Sequence, residues 1–421
     1  MNANVLILGG GPAGSALGCY LARAGVACTI IDAANHPRPH VGESLVTATT
    51  RIFEDIGFLE TMEREGFRHK HGATWRPAHG GAPLRVDFAE VPQPGIDQSH
   101  TYQVDRARFD HLLLKHAEAA GAKVIQGVRA REVIFDGDRA VGVRVDLGGR
   151  TVDMPAAAVA DATGRATLLG AQLKIKRPDP TFNQFALHAW FNGVDAGDRP
   201  TDIHIHFLKA KRGWAWQIPI SDTVSSVGVV AERAAFAGGK GDREGWFAQQ
   251  VASVPGLAHA MRDAVRVNDF KAEGDYSYAM DAFAGDGWLL LGDAARFVDP
   301  IFSSGVSIAM HSAKFAAEAL IPALAAGDLS AARLKPYEDR LRAGADVWYE
   351  FVSLYYRLLP VFTRFIARPE SRSQVVRLLQ GDVFNRDSVP VLDAMRAFVA
   401  EVEATEGHLL ARGLDPEVPL A

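Results

Sequence analysis

The sequence has little cysteine, no long apolar run and no large surplus of charge of either sign. Two of its 421 residues are cysteines, which predicts no disulfide framework and favours a reducing compartment, with the cytoplasm as the default. The first residues carry no signal-like basic segment, and no apolar run is long enough to span a bilayer. With 45 basic and 50 acidic side chains, the formal net charge of -5 predicts neither nucleic acid nor a membrane as a partner.

Apolar residues are abundant and their spacing changes along the chain. Residues 5–8, 12–24 and 27–32 have the pattern of a strand, a helix and a second strand around a glycine turn. Between residues 182 and 230, aromatic and branched residues recur at period two, which predicts an antiparallel sheet. After a strand at residues 288–291 the pattern is helical, with amphipathic stretches at 332–365 and 389–404. We therefore expect an α/β unit that is interrupted by a sheet and followed by helices.

The glycine turn fits a dinucleotide-binding motif. Residues 9–14 read GGGPAG, where the first glycine permits a tight turn, the third lets the backbone approach a pyrophosphate and the last allows close helix packing. Asp32 ends the second strand, where a carboxylate can accept hydrogen bonds from a ribose hydroxyl. A glycine-rich turn with a surface aspartate is the plainer alternative, and this motif does not distinguish FAD from NAD. The predicted contacts are Gly9, Gly11, Pro12, Ala13, Gly14 and Asp32.

Two later segments resemble the second and third FAD motifs of the para-hydroxybenzoate hydroxylase type of flavoprotein. They read DATGR at residues 161–165 and GDAA at residues 292–295. The resemblance implies FAD contacts by Asp161 and Gly292, a carboxylate of Asp293 on the ribityl chain, and a flavin-contacting arginine at Arg106. Taken alone, a Gly-Asp pair after a strand is equally typical of a turn that caps a helix. The three motifs in this order favour FAD.

A fold follows from that resemblance. It implies the α/β (α+β) class and a para-hydroxybenzoate-hydroxylase-like FAD fold, with a Rossmann-type FAD-binding module at residues 1–170 and 275–325. An inserted antiparallel β-sheet module on the substrate side would occupy residues 171–274, and a helical C-terminal region at residues 326–421 would cover the active site.

A tryptophan pair separates two kinds of flavoprotein that share this fold. Residues 213–219 read GWAWQIP, and this W-x-W-x-I-P pattern resembles the flavin-dependent halogenases. On a strand, Trp214 and Trp216 project to one face. Without the family, such a pair is more often simple core packing. In the halogenases the indoles are implied to lie between flavin and substrate, so that they separate the two without reacting.

Lys70 matches the essential lysine of these halogenases. It stands in the segment GFRHKHG at residues 66–72. An amine in a dry tunnel can donate a hydrogen bond to hypochlorous acid, or react in its neutral form to a chloramine, and either places electrophilic chlorine beside the substrate ring. A lysine in a basic run is otherwise usually a solvated surface residue. The tryptophan pair favours the catalytic interpretation.

A helix start at residues 299–306 is a candidate chloride site. By resemblance, the backbone amides of Ser304 and Gly305 would hold chloride beside the flavin, as suits N–H groups at a helix N-terminus. Ordinary capping by serine would look the same. Halogenases of free tryptophan carry a glutamate where this chain has Phe302, which argues against free tryptophan as substrate. The resemblance also implies FAD contacts at Glu43, Ser44, Pro300 and Gly305.

The resemblance extends over nearly the whole chain to halogenases that chlorinate a pyrrolyl group on a carrier protein, as in pyoluteorin-type biosynthesis. It implies FAD in its reduced form (FADH2) supplied by a separate flavin reductase, with O2 and chloride as further reactants and a peptidyl or acyl carrier protein as partner. A flavin hydroperoxide would oxidise chloride to hypochlorous acid, which Lys70 would present to the ring. No metal site is expected.

Other functions stay open on the sequence. A halogenase of a phenolic or other aryl group, a flavin-dependent aromatic hydroxylase and a non-enzymatic flavin-binding module share much of the same pattern. The sequence does not determine the number of halogens added, the preference for chloride or bromide, the carrier docking surface or the oligomeric state.

Overall fold

The structure is a computed structural model that describes residues 4–78, 81–93, 98–209, 212–237, 242–274, 277–359, 361–384, 389–411 and 414. The strands are β1 (Val5–Leu8), β2 (Cys28–Asp32), β3 (Arg68–Lys70), β4 (Gly72–Arg76), β5 (Leu84–Asp87), β6 (Thr101–Gln103), β7 (Lys123–Gln126), β8 (Arg129–Asp136), β9 (Arg139–Leu147), β10 (Arg150–Pro155), β11 (Ala158–Asp161), β12 (Lys176–Pro178), β13 (Gln184–Asn192), β14 (Ile203–Phe207), β15 (Trp214–Pro219), β16 (Val224–Glu232), β17 (Val265–Arg266), β18 (Lys271–Glu273), β19 (Tyr278–Met280), β20 (Ala284–Gly285) and β21 (Trp288–Leu290). The α-helices are α1 (Pro12–Arg23), α2 (Thr47–Asp55), α3 (Leu59–Arg64), α4 (Arg106–Ala119), α5 (Leu168–Gln172), α6 (Arg233–Ala237), α7 (Arg243–Ala252), α8 (Pro255–Ala260), α9 (Ser304–Ala326), α10 (Ala331–Arg357), α11 (Thr363–Ala367), α12 (Pro369–Leu379) and α13 (Pro390–Ala404).

A six-stranded sheet forms the Rossmann-type half of the molecule. Its order is β20-β21-β11-β1-β2-β7, parallel except for the β20–β21 pair. Strands β1 and β2 are buried along their whole length, as expected for a parallel sheet that is covered on both faces. Helix α1 packs against α4 and α9. Ligands of such sheets bind beyond the carboxyl ends of the strands, and β1 ends at the predicted glycine turn. The α/β class and the FAD-type fold are confirmed.

A second sheet of eight strands stands beside it. Its order is β17-β13-β16-β15-β14-β4-β5, with β18 also paired to β13. Neighbours are antiparallel apart from the parallel β14–β4 pair. Strands β4 and β5 come from residues 72–87, whereas the expected division placed the substrate-side sheet within residues 171–274. The difference arises because period-two spacing reveals a strand but carries no information about a partner far away in the chain.

The C-terminal region is helical and packs back onto the FAD module. Helix α10 packs against α9 and α13, and it ends at Arg357, where the sequence pattern had predicted one amphipathic stretch as far as residue 365. The sequence has a proline at position 360, and helices generally end before a proline. A cluster of rings from α10 and its neighbours covers Phe302, which stacks on Phe351 with ring centroids 4.3 Å apart. In the described part of the chain, no helix has the length and apolarity needed to cross a membrane.

Candidate active site

A cavity of about 640 Å³ lies between the two sheets. Its volume is in the range typical of cofactor and ligand sites. It extends from the glycine turn after β1 to the indole rings of β15 and the start of α9. The predicted site residues that line it are Gly9, Gly11, Pro12, Ala13, Asp32, Glu43, Ser44, Arg106, Trp214, Trp216, Asp293, Pro300 and Gly305.

The glycines of the turn after β1 have different structural roles. Gly9 has φ +107°, and a β-carbon there would collide with the carbonyl oxygen of Ala162. A β-carbon on Gly14 would collide with the carbonyl oxygen of Gly9, so α1 can pack this closely only without a side chain. Gly11 instead lies on the cavity wall, where a β-carbon would collide with nothing and would be 3.6 Å from the Arg38 guanidinium. The first turn of α1 contains no acidic residue. This turn is therefore shaped to take a pyrophosphate at a helix N-terminus.

Asp32 fixes the glycine turn to β2. Its carboxylate accepts hydrogen bonds from the amides of Gly10 at 2.7 Å and Ala34 at 2.8 Å. Burial alone would raise its pKa, but hydrogen bonds from His36, Ala34 and Gly10 outweigh burial and hold the pKa below its usual value. The carboxylate is thus ionised at neutral pH and stands on the cavity wall, where a ribose hydroxyl can donate to it.

Arg106 is held rigidly at the start of α4. Asp110, one turn later on α4, accepts hydrogen bonds from its Nε at 2.8 Å and from Nη2 at 3.0 Å. Nη1 donates to the carbonyl oxygen of Val41 at 2.7 Å. This bidentate pair positions the guanidinium at the cavity wall. The sequence interpretation did not include Asp110, although an acid four residues after an arginine on a helix is a recognisable pair.

Asp293 presents a partly exposed carboxylate to the cavity. Burial raises its pKa to about 6, while Arg165 and Arg106 oppose that rise. No hydrogen bond from the described residues reaches the carboxylate. The described part of the protein supplies no donor to this carboxylate at the cavity wall, so a ligand hydroxyl at this position would stabilise it. This arrangement fits the ribityl hydroxyls of FAD, which supports the cofactor that the sequence predicts.

Some predicted contacts lie behind the cavity wall. The carboxylate of Asp161 accepts hydrogen bonds from the hydroxyl of Thr163 at 2.6 Å and the amide of Leu169 at 2.7 Å, and it thereby shapes the turn after β11. The amide of Gly292 donates to the hydroxyl of Ser312 at 2.9 Å. Gly14 packs inside α1, and Ser304 is buried. Five predicted site residues do not line the cavity in the described part of the chain: Asp161, Gly292, Gly14, Ser304 and Lys70.

Trp214 and Trp216 form one wall of the cavity. Their ring centroids are 5.9 Å apart at 49°, as expected for residues two apart on a strand. Trp216 donates from Nε1 to the hydroxyl of Ser226 at 3.1 Å. Its ring lies over Gly228 of β16, where a β-carbon would collide with the indole. The indole wall is therefore fixed by specific neighbours on the adjacent strand.

The other indole is tied to the C-terminal helices. Trp214 donates from Nε1 to the hydroxyl of Tyr356 at 2.8 Å. That hydroxyl lies 3.1 Å from Oε1 of Gln184 and 3.0 Å from Oδ1 of Asp299, which are alternative acceptors for its one proton. Burial raises the pKa of Asp299 to about 7, against hydrogen bonds from the amide of Ile301 and from Tyr356. Tyr356, Gln184 and Asp299 were not predicted as site residues, because their link to Trp214 joins distant parts of the chain.

Lys70 is buried, with 3% of its surface exposed. Its Nζ donates to the carbonyl oxygen of Leu45 at 2.7 Å and lies 5.4 Å from the ring centroid of Phe88. Burial lowers its pKa to about 7, although Asp202 opposes the shift. The neighbouring residues Glu43 and Ser44 line the cavity. Through Leu45, the amine therefore contacts the chain one residue beyond the cavity wall. In the eight-stranded sheet, β14 lies between β4, the strand that follows Lys70, and β15, which carries the indoles.

The predicted chloride site is a turn followed by a helix start. Ser303 has the left-handed φ of +59°, and its side chain makes no capping hydrogen bond. Ser304 and Gly305 are the first two residues of α9, and the first amides of a helix have no partner within it. Gly305 is on the cavity wall, and the position of a β-carbon on it would be 3.9 Å from Oδ1 of Asp293. This geometry suits a small anion beside the cofactor cavity.

Comparisons with known proteins agree with this site. A family model described as an FAD binding domain matches residues 2–350. The chain is 43% identical over 439 residues to the "1H-pyrrole-2-carbonyl-[peptidyl-carrier protein] chlorinase" of Pseudomonas fluorescens, covering 99% of this chain and 98% of the relative. It is 31% identical over 389 residues to the corresponding brominase of Pseudoalteromonas luteoviolacea, covering 91% and 92%.

Solved structures give the same result. A flavin-dependent brominase superposes with a TM-score of 0.87 at 28% identity, covering 96% of this chain and 100% of the other. The myxobacterial chondrochloren halogenase superposes with a TM-score of 0.80 at 31% identity, covering 100% of this chain and 99% of the other. The FAD-type cavity, the indole wall and these similarities over full length lead to one conclusion: the chain belongs to the flavin-dependent halogenases.

Proposed function

We propose that this halogenase chlorinates a pyrrolyl group held as a thioester on a peptidyl or acyl carrier protein. The observation that carries the proposal is the buried amine of Lys70, which is kept out of solvent and donates to the carbonyl oxygen of Leu45, next to the cavity-lining residues Glu43 and Ser44. The substrate class is supported by the relative from Pseudomonas fluorescens, whose name specifies a pyrrole-2-carbonyl group on a carrier protein.

The cofactor supplies the oxidising chemistry. When bound, reduced FAD from a separate reductase, together with O2, converts chloride to hypochlorous acid. The amides of Ser304 and Gly305 would hold chloride at the cavity. Asp32, Arg106 and Asp293 would hold the FAD, since their side chains reach the cavity wall.

The chain's own residues then direct the halogen. Trp214 and Trp216 form a fixed barrier on the cavity wall, so the substrate ring is kept away from the flavin. With a pKa near 7, the Lys70 amine is available both as a charged hydrogen-bond donor and as a neutral nucleophile. Either form would place electrophilic chlorine at one position beside the substrate.

The surroundings of Phe302 favour an electron-rich ring as substrate. Phe302 is buried, stacks on Phe351 and lies 5.0 Å from the ring centroid of Tyr355. The rings around Phe302 are therefore apolar, and Phe302 itself offers no carboxylate to assist the departure of a proton. A pyrrolyl thioester is nucleophilic enough to react without that assistance.

The test is a reconstituted reaction on a loaded carrier. Purified chain, a flavin reductase with its nicotinamide cofactor, FAD, chloride and pyrrolyl-loaded carrier should give chloropyrrolyl carrier by mass spectrometry. Lys70→Ala should still consume O2 and make no chlorinated product, whereas Lys335→Ala, a control at an exposed position on α10, should keep activity. Full activity of Lys70→Ala would remove the amine from the mechanism.

The same assay separates the rival functions. Carriers loaded with phenolic or other aryl groups test for a different ring, and free pyrrole-2-carboxylate tests the need for a carrier. A hydroxylated product, with substrate-stimulated NADPH oxidation by the chain alone, would instead identify an aromatic hydroxylase. Absence of any product on every loaded carrier would overturn the proposed substrate class.

A further inference from the structure

A cluster of possible metal ligands lies on the outer side of the strand that carries Lys70. It consists of Glu63 at the end of α3, His69 on β3 and His100 immediately before β6, and we name it the Glu63 cluster. Strands β3 and β6 pair with each other, with His69 opposite Tyr102. Successive side chains of a strand project to opposite faces, so His69 and Lys70 stand on opposite sides of this ribbon.

Two distances in the cluster are close to the ligand spacing of a tetrahedral coordination shell. Nε2 of His69 is 3.4 Å from Oε2 of Glu63, and Nε2 of His100 is 3.5 Å from Oε1 of the same carboxylate. All three ligand atoms lie within 4.8 Å of one another. A tetrahedral zinc ion with bonds of about 2.05 Å has ligand atoms about 3.3 Å apart. Small movements of the side chains would therefore place an ion among them.

The two imidazoles lie together beside the carboxylate. The rings of His69 and His100 stack with centroids 3.8 Å apart and an angle of 19°. Nε2 of His100 is buried and makes no hydrogen bond within the described residues. A metal ion would take the lone pairs of both neutral imidazoles and the carboxylate together.

A second layer of contacts holds the carboxylate in place. The hydroxyl of Tyr102 donates a hydrogen bond to Oε1 of Glu63. Outer hydrogen bonds of this kind are typical of metal sites, because they orient the ligand that binds the ion. Glu63 and His69 are partly exposed, at 43% and 38% of their side-chain surface, so an ion can enter from solvent without opening the fold.

We propose that Glu63, His69 and His100 bind one divalent transition-metal ion of the zinc type, with water as the fourth ligand. The ion joins α3, β3 and the start of β6, and so it fixes the strand that carries Lys70 from the outside. It does not take part in halogenation. No metal site was expected from the sequence, because ligands at positions 63, 69 and 100 do not follow a recognised metal-binding spacing.

The test measures metal binding by the full-length protein. After removal of metal with a chelator, the chain is titrated with Zn²⁺ in competition with a chromophoric chelator, and with Co²⁺ by absorbance. We expect one tight equivalent of Zn²⁺ and the visible bands of tetrahedral Co²⁺. Glu63→Gln and His100→Gln should each weaken binding at least tenfold, while retained FAD binding and circular dichroism show that both variants fold.

A matched control separates a built site from casual binding by surface histidines. His259 lies 3.7 Å from Asp195, and both are mostly exposed, at 64% and 58%, so His259→Gln should keep the full equivalent of zinc. Hydrogen exchange of peptides over residues 68–71 and 100–103 should slow on adding Zn²⁺ in the parent chain and not in Glu63→Gln. The proposal fails if the parent binds no more Zn²⁺ than Glu63→Gln, or if His259→Gln loses the equivalent.

Discussion

Two adjacent tyrosines of α10 allow a sharp test of what holds the indole wall. Tyr355 and Tyr356 are both fully buried, but their hydroxyls differ. The hydroxyl of Tyr356 accepts a hydrogen bond from Trp214 and donates to Gln184 or Asp299. The hydroxyl of Tyr355 has no hydrogen-bond partner among the described residues. Substituting each by phenylalanine removes one oxygen atom from the same helix.

The two substitutions should differ in their effect on the free energy of unfolding. In Tyr356→Phe, the buried indole N–H of Trp214 loses its acceptor, which costs about 1–3 kcal/mol, and loss of the hydrogen bond to Asp299 or Gln184 costs about 1 kcal/mol more. We therefore expect the free energy of unfolding to fall by about 2–4 kcal/mol. In Tyr355→Phe, loss of an unpartnered buried hydroxyl should leave the free energy of unfolding unchanged or raise it by up to about 1 kcal/mol.

Denaturation in urea measures both changes, and product yield measures the effect on function. If the Trp214 ring needs the Tyr356 hydroxyl for its position, Tyr356→Phe should make less chlorinated product per O2 consumed, and Tyr355→Phe should match the parent. The cost of Tyr356→Phe should be larger at pH 8 than at pH 5, since Asp299 with a pKa of about 7 is ionised only at the higher pH. Equal stability losses in the two variants would refute this reasoning.

Three further predictions concern single side chains in and around the cavity. Lys70→Met should be more stable than the parent near pH 7, and this difference in the free energy of unfolding should shrink by at most about 1.4 kcal/mol per pH unit up to about pH 10. The reason is that burial lowers the pKa of Lys70 from 10.5 to about 7, so that between these values the unfolded chain binds one more proton than the folded chain. Chemical denaturation across pH measures this, and a constant difference would contradict it. Gly228→Ala should cost about 1–3 kcal/mol, because the new β-carbon collides with the ring of Trp216. Gly256→Ala on α8, where a β-carbon would be 3.9 Å from its nearest neighbour, Nδ1 of His206, serves as the near-neutral control in the same thermal unfolding assay. Asp293→Asn should weaken FAD binding at least tenfold in a fluorescence titration. It should nevertheless raise the thermal stability of the FAD-free chain above pH 6, because it removes an ionised carboxylate without a hydrogen-bond donor. Unchanged FAD affinity would exclude the predicted ribityl contact.

The parts of this molecule that are readable in sequence are local ones. The turn at residues 9–14 combines its glycines and the helix start within one short segment, and Asp32 follows at the end of the next strand, so spacing alone predicts their common location. Period two on β15 likewise predicts that Trp214 and Trp216 share a face. Each of these features depends on backbone geometry over a few residues, which local sequence determines.

The parts that sequence does not reveal are contacts between distant segments. Tyr356 reaches Trp214 across 142 positions, and β4 joins a sheet whose other strands come mostly from residues after 183. Asp161 is a case in which a recognised motif did not predict the contact of its side chain. The motif lies at the end of β11 as expected, but the carboxylate accepts hydrogen bonds from the turn that follows and does not line the cavity. A motif predicts where the backbone passes, whereas the direction of one side chain depends on neighbours that only the folded chain brings together.

The carbonyl oxygen of Leu45 also sets a direction for the chemistry at Lys70. An oxygen of this kind only accepts hydrogen bonds, so one proton of the amine stays aimed at the segment that forms the cavity wall at Glu43 and Ser44. When the nitrogen gives up a proton, its lone pair is left among the remaining tetrahedral positions and points away from that wall. In the proposed mechanism, the backbone would thereby fix the side of the nitrogen that receives chlorine and transfers it to the ring.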